Sequence, residues 1–150
     1  MATPLPPLNG LRAFEVSARH LFEQETIAVA SPQIAERVRT SPEDLTLLHD
    51  SHDLWPQMLE LALPATAPPA RRNLRFNQTS LAIDAALAGQ GIALCSRSFV
   101  AEDLAAGRLV QVFGKSLRTG DDFFLLHPRK PRNAAAVEAV RSWLLAEAQA

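Results

Sequence analysis

A regular alternation of strand and helix patterns over residues 72–112 constrains the fold of this chain more than any other feature. Short apolar runs alternate there with amphipathic segments that begin at a capping residue and end at a glycine. In chain order we predict a strand at 74–76, a helix at 81–88 ended by Gly89, a strand at 92–95, a helix capped by Ser98 and ended by Gly107, and a strand at 109–112. Strands joined by helices in this way favour an α/β fold with a mostly parallel sheet and flanking helices.

The alternation of strand and helix patterns continues on both sides of residues 72–112. Residues 26–30 are a predicted strand, and Ser31-Pro32 is a typical helix start because serine caps and proline fits the first helical position. Near the N-terminus, Leu11, Phe14 and Ala18 share one helical face. The remaining predictions are a short helix at 10–20, a second helix start at 41–44, a strand at 45–49, a helix at 53–63, a strand at 123–127 and a helix at 134–148.

Charge and cysteine content restrict the class of protein. The formal net charge is −1, so the chain as a whole has no electrostatic attraction to DNA or to an anionic membrane. The single cysteine, Cys95, cannot form an internal disulfide, and nothing therefore points to an oxidising compartment. The sequence shows no signal peptide and no apolar run long enough to span a membrane. We therefore expect a cytoplasmic protein.

The turn Asn77-Gln78-Thr79-Ser80 is the first candidate binding site, because it follows a predicted strand and precedes a predicted helix. In open α/β sheets, ligands bind beyond the carboxyl ends of the strands, and free N–H groups at a helix start attract carboxylates. The hydroxyls of Thr79 and Ser80 would add hydrogen-bond donors. The alternative is that one hydroxyl caps the helix and that nothing binds there.

Ser31 is a second candidate, since it also joins a predicted strand to a predicted helix. Its hydroxyl would face the same cleft as Thr79 if the two strands were neighbours, which the sequence does not show. The alternative for Ser31 is a plain helix cap.

Other polar motifs favour structural explanations. Residues 49–53, with two histidines and two aspartates, could contribute to a zinc site, but no distant histidine or cysteine pair completes the ligand set. The alternative for these residues is a polar strand end that caps the next helix. The glycines Gly89 and Gly91 follow a predicted helix, which is the wrong context for a dinucleotide-binding loop. Cys95 lies in an apolar strand, where an inert thiol is expected. No nucleophile elbow, phosphate-binding loop or zinc-protease motif occurs. We therefore expect no metal site, no cofactor and no catalysis.

Two blocks of sequence resemble LysR-type transcriptional regulators of the glycine-cleavage-activator and β-lactamase-regulator subgroup. The first is LPPLNGLRAFE at 5–15 followed by Ala18-Arg19-His20, which resembles the first helix of that family's winged helix-turn-helix. The second begins after residue 20 and resembles the family's effector-binding domain. It includes 27–32, 45–55, 123–128 and, most specifically, LRFNQTSLAIDAALAGQGIALCSRSFVAEDLAAGRLVQVF at 74–113. The recognition helix, the wing and the linker helix of the family have no counterpart between these blocks.

The resemblance implies a two-lobed fold like that of periplasmic binding proteins. Residues 1–20 would be a helix-turn-helix remnant, and residues 21–150 an effector-binding domain whose second lobe spans about 23–112 and whose first lobe retains about 122–148. In the family a small effector lies between the lobes. The effector-binding residues that the resemblance and the helix starts together imply are Ser31, Gln78, Thr79, Ser80 and Phe123.

The expected function is therefore the sensor module of a LysR-type transcriptional regulator. Its expected partners are a small anionic or amino-acid-like effector, and either a second copy or a full-length regulator subunit that covers the apolar stripe of the helix at 134–148. DNA binding is implied by the resemblance alone, because the element that enters the major groove has no counterpart. The alternatives are an oligomerisation partner that modulates full-length regulators and an uncharacterised α/β enzyme.

Overall fold

The computed structural model describes residues 16–41, 45–64 and 72–149, and its contacts divide the chain into two compact units. Unit 1 contains the chain up to Gln24 and from Thr119 onward, and unit 2 runs from Glu25 to Arg118. No helix among the described residues is long and apolar enough to cross a membrane. The elements are β1 (Val16–Phe22), β2 (Thr26–Ala30), α1 (Pro32–Thr40), β3 (Thr46–His49), α2 (Trp55–Ala62), β4 (Arg72–Arg75), α3 (Thr79–Leu87), β5 (Ile92–Ser96), a 3-10 turn (Arg97–Val100), α4 (Ala101–Ala105), β6 (Val110–Leu117), β7 (Phe123–Pro128) and α5 (Ala134–Glu147).

Unit 1 is a two-stranded antiparallel ribbon followed by helix α5. Strand β1 pairs with β7 from Val16 opposite Pro128 to Phe22 opposite Phe123. Asn133 caps α5 by accepting a hydrogen bond from the N–H of Ala136 at 3.0 Å. The predicted strand at 123–127 and the predicted helix at 134–148 are thus confirmed.

The helix predicted for residues 10–20 is wrong over its second half, because residues 16–20 belong to strand β1. The ladder that holds this strand joins residues more than a hundred positions apart along the chain, such as Val16 and Pro128. Such long-range pairing overrides local helical spacing. Residues 1–15 lie outside the described part of the chain, so the first half of that helix, like the assignment of 1–20 to a helix-turn-helix remnant, stays a prediction.

Unit 2 is built on a five-stranded sheet in the order β4-β3-β5-β2-β6. Strand β3 is parallel to both β4 and β5, whereas β2 is antiparallel to both β5 and β6. Four strands therefore share one direction and β2 alone is reversed. The α/β class with flanking helices is confirmed, but the sheet is mixed rather than mostly parallel in its pairings. The reversal could not be predicted because hydrophobic pattern does not encode strand direction.

Both faces of the unit 2 sheet are covered, which explains why its central strands are continuous apolar runs. Alternate residues of β2 enter opposite cores: Ile27 and Val29 pack with α3 on one face, and Ala28 and Ala30 pack with α2 on the other. The α2 side is filled chiefly by Trp55 and Met58, at 2% and 0% exposure. The indole of Trp55 also donates to the carbonyl oxygen of Leu48 at 2.9 Å. This packing fixes the positions of the strand ends.

The strand directions define two edges of the sheet. We call the edge where β3, β4 and β5 end the carboxyl edge, and the edge where they begin the amino edge. Because β2 is reversed, its first residue, Thr26, pairs with Ser96 at the carboxyl edge, and its last residue, Ala30, lies at the amino edge beside Val110. Thr26 also pairs with Leu117, so both chain ends of unit 2 lie at the carboxyl edge.

Candidate functional site

Helix α3 begins at the carboxyl edge with its first turn uncapped by any described side chain. Strand β4 ends at Arg75, and the N–H of Phe76 donates to the carbonyl oxygen of His49 at 2.9 Å, which holds the turn against β3. Gln78 is the N-cap residue in extended conformation, but its side chain makes no capping hydrogen bond. The N–H groups of the first turn, with the positive end of the helix dipole, therefore face outward as an anion site would require.

A carboxylate lies directly beside this helix start. The hydroxyl of Thr79 donates to Asp50 Oδ2 at 2.7 Å, and the N–H of His52 donates to Asp50 Oδ1 at 3.0 Å. Thr79 and Asp50 are half-buried, whereas Ser80 and Gln78 are exposed. The expectation that Thr79 offers a free donor is thus modified: its proton is directed to Asp50. The start of α3 thus combines free N–H donors with the carboxylate of Asp50.

Asp50 was not among the predicted site residues. It directly follows β3, at the carboxyl end of a strand adjacent to β4, and that position is the signal that could have singled it out. In sequence, residues 49–53 suggested either a metal-ligand cluster or a polar strand end that caps the next helix, and not a binding site. Among the described residues, no group of three histidine, cysteine or acidic side chains is placed to hold a metal ion.

The end of β5 adds further polar groups to the same edge. The hydroxyls of Ser96 and Ser98 lie 2.9 Å apart. Ser98 therefore does not cap the helix after β5 as predicted, and no side chain caps either the 3-10 turn or α4. The reason is local: the chain leaves β5 through the 3-10 turn, with Ser96 rather than Ser98 as its first flanking residue.

An ion pair joins the start of β2 to the end of β5 at this edge. Arg97 Nε donates to Glu25 Oε2 at 2.7 Å, and Arg97 Nη2 donates to Gln111 Oε1 at 2.8 Å. The hydrogen bond from Arg97 lowers the pKa of Glu25 below its usual value, although partial burial acts in the opposite direction. This pair ties the first residue of unit 2 to the segment after β5.

Ser31 lies at the amino edge, away from Thr79. Its Oγ accepts the N–H of Ile34 at 3.5 Å, so it caps α1 as a plain helix start would. Ser31 is buried, and a Cβ placed on Gly89 would lie 3.6 Å from its hydroxyl. Since Gly89 follows the last turn of α3, the length of that helix separates Ser31 from Thr79. The sheet therefore does not bring these two candidates together.

Two cavities lie at the amino edge. One, of about 640 Å³, is lined by Ser31, Gln33, Gly89 and Arg108 among others. The guanidinium of Arg108 is already paired with Asp103 at 2.7 Å. The second, of about 510 Å³, lies among α1, β3 and β4. Both adjoin the carboxyl-terminal end of α3, and the first is also lined by the start of α1.

Phe123 belongs to unit 1, where it begins strand β7. Its ring stacks on that of Phe22 with centroids 4.6 Å apart. Of the five predicted effector-binding residues, unit 2 thus groups three, Gln78, Thr79 and Ser80, at one helix start.

The comparisons with known proteins identify the family. Residues 5–149 match the family model of the LysR substrate binding domain. The chain belongs to this family. Among curated relatives, it is 30% identical over 146 residues to the glycine cleavage system transcriptional activator of Escherichia coli K12 and 32% identical over 130 residues to the transcriptional activator AmpR of Pseudomonas aeruginosa. These alignments cover 94% and 83% of this chain.

Solved structures agree with this LysR substrate-binding assignment. The effector domain of AmpR from Pseudomonas aeruginosa superposes with a TM-score of 0.68 at 26% identity, covering 90% of this chain and 66% of that one. The chain spans 46% of the Escherichia coli relative and 43% of AmpR, which is less than half the length of either curated protein. The predicted family and the effector-domain fold are confirmed, and the relatives are transcriptional regulators rather than enzymes.

Proposed function

We propose that this chain is the sensing module of a LysR-type regulator and that it binds its effector at the carboxyl edge of unit 2. The single observation that carries the proposal is the uncapped start of α3 with the Asp50–Thr79 pair beside it. In this proposal the module is cytoplasmic and non-catalytic. The regulatory output of a full-length LysR-type protein, including DNA binding, remains a wider proposal for the protein that contains this module.

The charges at this edge favour an amino-acid-like effector over a simple anion. A carboxylate ligand gains from the N–H groups and dipole of the α3 start. A bare anion placed there also meets the negative charge of Asp50, which like-charge repulsion penalises. A ligand that carries an ammonium group next to its carboxylate satisfies both: the carboxylate accepts from the first turn of α3 and the ammonium donates to Asp50.

The predicted residues have distinct roles in this proposal. Ser80 supplies a hydroxyl at the second position of α3, Thr79 positions the Asp50 carboxylate, and Gln78 contributes its unused side-chain amide. Ser31 remains a candidate only for a separate contact at the amino edge. Phe123 remains a candidate through the family resemblance alone.

A thermal-shift screen of the purified chain against small carboxylates, amino acids and peptidoglycan fragments tests this proposal. A ligand that binds the folded state raises the unfolding temperature. We expect the stabilising ligand to be zwitterionic and its effect to disappear in Thr79→Val and Ser80→Ala. Thr79→Ser keeps the hydroxyl and serves as the matched control, and Ser31→Ala controls for the amino edge. A ligand-induced rise in unfolding temperature that persists in both Thr79→Val and Ser80→Ala would contradict the proposed site.

A second proposed property is association of unit 1 with another copy of this chain. Val140 and Trp143 of α5 are 56% and 60% exposed, and Leu126 of β7 is 41% exposed. The described part of unit 1 is a two-stranded ribbon with one helix. A two-stranded ribbon is marginally stable in water, so covering these side chains would stabilise it. Sedimentation velocity should show a concentration-dependent dimer that Trp143→Glu dissociates. A sharp monomer at high concentration counts against this association.

A further inference from the structure

His49 is a buried histidine whose role is not explained by the proposed effector site. Its side chain, at the end of β3, is only 9% exposed. Its Nε2 donates to Asn73 Oδ1 of the neighbouring strand β4 at 2.7 Å. Its Nδ1 is buried and has no hydrogen-bond partner among the described residues. An unsatisfied buried nitrogen is costly, so this atom calls for a physical explanation.

The nearest acidic group to Nδ1 belongs to the segment that follows β3. Asp53 Oδ1 lies 3.9 Å from His49 Nδ1, which is too long for a hydrogen bond. The Asp53 side chain is 66% exposed and is therefore free to rotate. Its backbone has a φ of 51°, in the left-handed region that aspartate and asparagine tolerate better than most residues. A small side-chain movement would bring the carboxylate to Nδ1.

The same segment carries the carboxylate of the effector site. Asp50 directly follows His49 and accepts hydrogen bonds from Thr79 and from the N–H of His52. Within residues 50–53, Asp53 lies near the buried imidazole of His49, and Asp50 accepts the hydroxyl of Thr79 at the start of α3. A change in the conformation of residues 50–53 would therefore alter the hydrogen bond between Asp50 and Thr79.

We propose that His49 and Asp53 form a proton-operated latch on residues 50–53. When His49 is protonated, its Nδ1–H donates to the Asp53 carboxylate, and this hydrogen bond holds residues 50–53 against the end of β3. When His49 is neutral and its Nε2–H is donated to Asn73, Nδ1 has no proton to donate and the latch is open. The latch therefore closes when the imidazole gains its second ring proton, which a fall in pH favours.

The surroundings of the imidazole hold both signs of charge. Asp50 and Asp53 lie in the segment itself, and Arg75 lies opposite His49 on β4. The indole of Trp55 has its centroid 6.3 Å from that of the imidazole. Cys95 on β5 is neutral, because burial raises its pKa to about 12. Arg75 is exposed to solvent, so its repulsion is screened.

Amide hydrogen exchange of residues 50–53 in the full chain, without ligand, tests the latch. Rates are divided by the intrinsic rates at each pH, and the ring signals of His49 are followed by NMR to establish that it titrates. We expect protection of these amides to be about threefold higher at pH 5.5 than at pH 8, the size expected for a partly exposed ion pair. Asp53→Asn, which keeps the shape and the left-handed backbone, should abolish the difference, and His52→Gln should retain it.

The latch is overturned if His49 remains neutral at pH 5.5, or if the pH-dependent protection is the same in Asp53→Asn as in the unaltered chain. That the latch regulates effector binding rests on the proposed function, but its existence does not. If the amides show the pH-dependent protection but no ligand raises the unfolding temperature, the effector site is wrong and the latch stands. If a ligand raises the unfolding temperature but amide protection of residues 50–53 does not depend on pH, the latch is wrong and the effector site stands.

Discussion

The two strand-to-helix starts of unit 2 look alike in sequence and differ in structure. At the start of α1, Ser31 caps its own helix, is buried and lies at the amino edge. At the start of α3, no described side chain caps the helix, and the Thr79 hydroxyl is turned to Asp50 at the carboxyl edge. A helix start that satisfies itself stabilises the fold, whereas one left open can bind a ligand. The difference shows that a hydroxyl at a helix start does not by itself mark a binding site.

The reversed strand β2 is the physical source of this contrast. Because β2 runs against its neighbours, its helix starts at the edge opposite to the starts that follow β3 and β4. At the amino edge, Gly91 packs closely against the start of β3. The carboxyl edge holds the Glu25–Arg97 ion pair and both ends of unit 2.

The largest expected effect concerns the close packing at the amino edge. A Cβ on Gly91 would lie 2.5 Å from the carbonyl oxygen of Thr46 and 3.1 Å from Leu48 Cδ2. Gly91→Ala should therefore lower the free energy of unfolding by about 2–3 kcal/mol, as overpacking of a rigid interior does. Urea denaturation measures this loss.

Gly107 is the matched control for Gly91. A Cβ there meets nothing within 4 Å, so only the left-handed backbone, at φ 71°, opposes substitution. Gly107→Ala should cost about 1 kcal/mol. If the two glycine variants lose the same stability, the amino edge is not tightly packed and the contrast between the edges is weakened.

The cap at the start of α1 carries the next largest effect. Ser31→Ala should cost about 1 kcal/mol, because the N–H of Ile34 loses its acceptor. Ser80→Ala should change the free energy of unfolding by less than about 0.5 kcal/mol, because Ser80 is exposed and caps nothing. Thermal unfolding of both variants, with and without the best ligand of the screen, measures stability and binding together. Equal losses of stability would show that the two helix starts are equivalent after all.

Sequence reasoning succeeded where the signal is local. The pair Ser31-Pro32 predicted the start of α1, and Pro56 in a first turn agreed with α2. Gly89 ends α3 with φ 73°, as a helix-terminating glycine does. Each of these depends on residues within a few positions of one another, for which propensity and capping chemistry are sufficient. The helix start predicted at 41–44 falls mostly outside the described residues.

Sequence reasoning failed where the signal is long-range. Strand β1 depends on β7 at the other end of the chain, and nothing local in Val16 to Phe22 indicates that pairing. Whether Ser31 and Thr79 share an edge depends on the direction of β2, which alternation of apolar residues does not specify. Asp50 was overlooked for the same reason: its importance arises from contact with Thr79, 29 positions away. The helix start could be predicted, but its neighbours could not.

The carboxyl edge should also contribute to the pH dependence of stability, through Glu25. Arg97 lowers the pKa of Glu25 in the folded state, so this pair contributes stability above the unfolded pKa, and that contribution is lost as pH falls through the folded value. Because Arg97 is 42% exposed, the contribution is screened and should stay below about 1 kcal/mol. Chemical denaturation at pH 6 and pH 3 should show a smaller acid loss in Glu25→Gln. The exposed pair Arg39–Glu36 at the end of α1 supplies the control, since Glu36→Gln should leave the acid loss unchanged.

Giving α3 the cap that α1 has is the most direct way to sharpen the comparison. Gln78 is already extended, at φ −138° and ψ 141°, so Gln78→Ser can place a hydroxyl on the free N–H groups of the first turn. We expect a gain of about 0.5 kcal/mol in the free energy of unfolding. The same hydroxyl would compete with a ligand carboxylate for those donors, so the ligand-induced rise in unfolding temperature should shrink.

Gln78→Ala controls for loss of the amide side chain without adding a cap, and it should leave stability nearly unchanged. If Gln78→Ser stabilises the chain and weakens the ligand response more than Gln78→Ala does, the open helix start is the binding element. If it stabilises the chain and leaves the ligand response intact, the donors of α3 are not used and binding belongs to other groups of the carboxyl edge. Stability and recognition would then be separable at this helix start, whereas the proposed site requires them to oppose each other.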